Sequence, residues 1–94
     1  MATKLKVLLQ RVEARDYQDI AAMIEAGVDL AQGLADARAL YGRAFQPSEC
    51  LKALVYYEGG DLHTLSREDR ETLIRAVQEV HALPQAKRLS NELI

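Results

Sequence analysis

The densest chemistry in this sequence lies between residues 4 and 20, in the string K-L-x-x-L-x-x-R-x-x-x-R-D-x-x-D-I. On a helix Lys4 and Arg11, seven residues apart, share a side, while Asp16 and Asp19, three apart, project from one flank. A lysine, two arginines and two acids gathered in this way could hold a triphosphate with its Mg²⁺. They could equally brace two helices, with Arg11, Arg15, Asp16 and Asp19 as a helix-junction network.

Other reactive side chains are sparser. Tyr56 and Tyr57 precede the acidic loop Glu58-Gly59-Gly60-Asp61. Two adjacent aromatics cannot both face a core, so one of them is expected at the surface, where it is a candidate partner contact. His63 and His81 have no co-ligands at metal-binding spacing, and no metal site is expected. Cys50 has no neighbouring cation or histidine to activate it and reads as a buried small side chain. Arg67, Arg70 and Arg75 are interleaved with Glu68, Asp69 and Glu71, which cancels their field and suits a solvated helix face.

The elements that must position these groups all read as helices. Leu5, Leu8, Leu9 and Val12 fall at i, i+3, i+4 and i+7, and Ile20, Met23 and Ile24 continue helical spacing up to Gly27. Asp29 reads as an N-cap for Leu30, Leu34, Ala37 and Tyr41, a helix closed by Gly42. Gly33, within it, suits a close helix–helix approach. Pro47 suits a first helical position, with Leu51, Leu54 and Val55 as the buried edge. Ser66 and Asp69 resemble a capping box ahead of Leu73, Ile74, Val77 and Val80, and Pro84 is expected to end that helix. The expectation is a single all-α domain, a compact bundle of about five helices over 3–14, 16–26, 30–41, 47–58 and 67–82. A loose tail is expected over 84–94.

The string from Lys4 to Ile20 resembles a segment of the AbiEii/AbiGii-type nucleotidyltransferases, the toxin components of type IV toxin–antitoxin systems. Residues 28–80, including Leu51-Lys52-Ala53-Leu54-Val55-Tyr56-Tyr57, resemble the helical C-terminal region of that family more loosely. The resemblance implies that Lys4 corresponds to a nucleotide-contacting lysine, with Arg15 as a second nucleotide-binding candidate, and Asp16 to a late acidic residue. It also implies an origin in the back half of such an enzyme. The family's catalytic chemistry needs a Gly-Ser turn for the phosphates and paired acids for two Mg²⁺ ions, and neither Gly-Ser nor D-x-D occurs here. Mg²⁺ and a nucleoside triphosphate are therefore expected only if another polypeptide supplies that half. As this chain alone, no enzyme activity and no cofactor are expected.

Composition narrows the remaining classes. The chain has 94 residues, of which 49% are hydrophobic and 28% charged, the mix of one ordinary globular domain. Twelve basic residues against fourteen acidic ones give a net charge of −2, which speaks against a general nucleic-acid binder. Lys4, Lys6, Arg11 and Arg15 are too few, and their apolar stripe too useful to a core, for a membrane-surface helix. A single cysteine and the absence of an apolar run of membrane-spanning length suit a reducing cytoplasm. What remains is a helical accessory or interaction domain. Its expected partner is another protein or a second copy, with a dimer or an antitoxin-like module as alternatives to the second half of a split enzyme.

Overall fold

The computed structural model describes the backbone of residues 1–93 and the side chains of residues 1–81. It contains five α-helices, α1 (Ala2–Gln10), α2 (Ala14–Glu25), α3 (Leu30–Tyr41), α4 (Pro47–Leu54) and α5 (Arg67–Leu93), and two short 3₁₀ turns, Gly42–Ala44 and Leu62–Thr64. No strand occurs among the described residues. The all-α expectation holds.

Several helix ends are set where the sequence places them. The Asp29 carboxylate accepts from the Ala31 amide at 3.1 Å, and the Ser66 hydroxyl accepts from the Asp69 amide at 3.1 Å. Gly27 (φ +98°) and Gly42 (φ +59°) take the positive φ that lets the chain turn off a helix. Pro47 is in the first turn of α4.

Other boundaries differ from expectation. The first helix stops at Gln10 instead of running to residue 14, and Arg11 is extended (φ −149°, ψ 152°). Leu5 and Leu8 are buried, but Leu9 and Val12 are 36% and 49% exposed. The break has no glycine or proline behind it. It lets α2 fold back so that Tyr17 and Ile20 join Leu5 and Leu8 in one core. Likewise α4 ends at Leu54, not at residue 58, which leaves Val55 exposed instead of at the buried edge. Ile74 lies at the rim of the core, not within it, because Leu73, Ala76 and Val77 already fill the inward stripe of α5. The bounds of α5 run past Pro84. A proline forfeits one hydrogen bond to the carbonyl four residues back, and the turns on either side still close. Within the expected loose tail, the side chains of residues 82–94 and the whole of Ile94 lie outside the described residues.

The helices pack around α1, which touches α2, α3 and α4, while α2 lies along α5. Phe45, just after the first 3₁₀ turn, is the largest of the fully buried side chains. Gly33 faces the start of α1, where a methyl group added to it would stand 2.7 Å from Met1 Sδ. The space beside this glycine is taken by the Met1 side chain.

The loop after α4 is tied to the α1–α2 junction. Asp61 accepts a hydrogen bond from the Ala14 amide at 2.7 Å, which caps α2 from 47 residues away in the chain. The first amides of any helix have no partner within it, and Asp61 also presents its negative charge to the positive end of the helix dipole. Asp61→Ala is expected to cost about 1 kcal/mol, readable as a lower urea midpoint at unchanged slope. An unchanged midpoint would show that the cap is energetically silent.

Candidate functional site

The chemically dense string is assembled by the turn between α1 and α2. Lys4, one turn into α1, extends its ammonium to Asp19 Oδ2 at 2.7 Å and to Asp16 Oδ1 at 3.5 Å. Arg11 leaves the helix, and its extended backbone turns the guanidinium back onto Asp16. Its Nε donates to Oδ2 at 2.8 Å and its Nη2 to Oδ1 at 3.1 Å, the two-pronged geometry that suits a carboxylate. Arg11 also lies 3.5 Å from Glu13. The side chain of Asp16 is fully buried, whereas those of Lys4 and Arg11 remain 33% and 51% exposed.

The charges explain one another. The Arg11 hydrogen bonds hold the Asp16 carboxyl below its ordinary range, and they outweigh the opposing effect of burial. The hydrogen bond to Asp19 raises Lys4, and the hydrogen bonds to Asp16 raise Arg11. Asp16 also sits in the first turn of α2, where a negative charge faces the positive end of the helix.

Of the sequence candidates, the fold brings Lys4, Arg11, Asp16 and Asp19 together and leaves Arg15 out. Arg15 is exposed and takes no part in the cluster's hydrogen bonds or ion pairs. Its neighbour in sequence, Asp16, faces α1, and successive helix positions point about 100° apart. Glu13 and Asp61 were not legible as members. Asp61 is remote in sequence, and nothing in a lone Gly-Gly-Asp says which helix end it will reach.

This arrangement is chemically a brace. Lys4 bridges the two carboxylates, so the position a divalent cation would take between Asp16 and Asp19 is filled by an ammonium. Both prongs of Arg11 are committed to Asp16. Among the described residues no three His, Cys, Asp or Glu side chains are grouped to hold a metal ion.

The two tyrosines part company. Tyr57 is half-buried, edge-on to Tyr17 at 6.4 Å between ring centres, with the Arg70 guanidinium 5.5 Å from its own ring. Burial pushes its phenol up to about 12. Tyr56 is 61% exposed, and its hydroxyl donates to Glu58 at 3.0 Å. Cys50 lies in the core, where burial pushes its thiol up to about 12, so it is no nucleophile near neutral pH.

Tyr56 belongs to an open groove of about 570 Å³ between α1 and α4, lined by Leu9, Glu49, Lys52, Ala53, Val55 and Tyr56. Three of those residues, Leu9, Val55 and Tyr56, are large exposed hydrophobics. The early stop of α4 contributes to this surface, since Val55 and Tyr56 follow its end. No helix among the described residues is long and apolar enough to cross a membrane. No family model, curated protein or solved structure matches this chain.

Proposed function

We propose that this chain is a helical accessory domain that works by docking to another protein surface and is not itself a catalyst. The apolar groove between α1 and α4 carries this reading. It gathers Leu9, Val55 and Tyr56 on one side of a domain whose other large apolar side chains, among the described residues, are mostly buried. The resemblance of Lys4 to Ile20 to the AbiEii/AbiGii-type nucleotidyltransferases supports descent from the helical C-terminal region of such an enzyme. The ion pairs of Lys4 and Arg11 support a bracing role for the matching residues, because a nucleotide phosphate would have to break them first. The single buried thiol suits a reducing compartment such as the cytoplasm.

Two measurements test the reading. Titrating the chain with a nucleoside triphosphate and Mg²⁺ should give no saturable binding up to about 1 mM, in wild type and Lys4→Ala alike. Saturable binding that Lys4→Ala abolishes would restore the nucleotide site and sink the accessory reading. A hydrophobic fluorescent dye should bind the folded wild type and lose most of that binding in Val55→Asp. Equal dye binding by the two would show that the groove is not an apolar docking surface.

A further inference from the structure

Resting on that reading, we infer that the occupant of the α1–α4 groove is a second copy of this chain, joined by antiparallel pairing of the two α4 helices about a two-fold axis. The observation behind it is the charge pattern on the groove's rim. Glu49 and Lys52 stand three residues apart on one flank of α4, 61% and 77% exposed, beside the apolar floor. Within one chain they are 3.9 Å apart, a loose contact between solvated groups that holds neither in place.

A two-fold axis places the same patch opposite itself, so that whatever residue i meets in the partner, the partner's i meets in return. Two antiparallel α4 helices centred between positions 49 and 52 set each Glu49 against the other copy's Lys52. Both charges are thereby satisfied twice over, with no residue of a different protein required. A rim of one sign would have pointed to an oppositely charged partner. A rim carrying both signs at this spacing complements itself.

The floor suits the same geometry. Ala53 lies on the flank of α4 that faces the groove and is only half-buried, so a second helix can approach closely there. Leu9 from α1 and Val55 and Tyr56 from the end of α4 then close over the pair. The patch is small, which fits a dimer that forms and separates with concentration.

Sedimentation over a concentration series, with circular dichroism to confirm folding, tests the pairing. The wild type should rise from 10.5 kDa toward twice that mass. Val55→Asp should remain a monomer. Glu49→Lys and Lys52→Glu should each weaken the dimer at least about tenfold, because each sets like charges together twice. An equimolar mixture of those two variants should recover a dimer close to wild type in strength, since every pair across the axis is then opposite in sign. The exposure of positions 49 and 52 keeps these exchanges from disturbing the core. A wild type that stays at 10.5 kDa up to about 1 mM overturns the self-pairing. So does a dimer indifferent to both charge reversals, or a mixture that fails to recover. None of these outcomes touches the docking reading, which stands or falls on dye binding to monomeric protein.

Discussion

Gly60→Ala is expected to destabilise the fold by about 3 kcal/mol and to lower its melting temperature by about 15 °C. Gly60 has a φ of +50°, and a methyl group placed on it would collide with the carbonyl oxygen of Val12. The left-handed backbone alone costs an alanine about 1–2 kcal/mol. The remainder comes from the neighbour. The nearest obstacle is the Val12 carbonyl, which is backbone that no rotamer change can move aside, so loop and junction must separate. Separation stretches the hydrogen bond that the Ala14 amide donates to Asp61, whose loss is worth about 1 kcal/mol, as for Asp61→Ala. Gly27→Ala supplies the comparison, because Gly27 has a φ of +98° and nothing within 4 Å of the added methyl. It should show the backbone cost without the collision. Thermal denaturation of the two variants separates the terms, and equal losses would show that the loop does not bear on Val12.

Asp16→Asn is the second large effect, a loss of about 2–3 kcal/mol near neutral pH. The amide keeps the shape of the side chain but removes the charge that Arg11 grips with two hydrogen bonds and Lys4 approaches from α1. The penalty stays moderate because Arg11 and Lys4 are partly exposed and regain water when their counter-ion goes. The pH dependence has a definite sign. Asp16 titrates lower in the folded chain than an unfolded aspartate, whose value is about 3.9. Its contribution is therefore fully present above about pH 4 and lost as pH falls through the depressed folded value. Urea unfolding should show wild type well above Asp16→Asn at pH 7, with the gap narrowing steadily below about pH 4. A gap that is constant down to about pH 2 would mean that the charge of Asp16 is not what stabilises the junction.

Much of the architecture was legible because helix signals are local. Asp29, Gly42, Pro47 and Ser66 each act within four residues of themselves, so their types suffice to place a start or a stop. The candidate cluster was partly legible for the same reason, since helical spacing alone puts Asp16 and Asp19 on one flank. Arg15 was misplaced because adjacency in sequence is not adjacency on a helix. The ends of α1 and α4 were missed because Arg11 and Val55 are ordinary helix residues, and only contacts elsewhere make leaving the helix favourable.

By itself, the sequence determined that this chain folds as about five helices with a core drawn from their apolar stripes, and it put a lysine, two arginines and two acids near the first junction. Only the tertiary structure decided that Asp16 is fully buried between Arg11 and Lys4, that Asp61 caps α2, and that Leu9, Val55 and Tyr56 are left facing a groove. The physical reason is range. Propensity, capping and periodicity act over one or two turns, whereas a buried charge, a cap 47 residues away and an uncovered apolar surface depend on which parts of the chain finally meet.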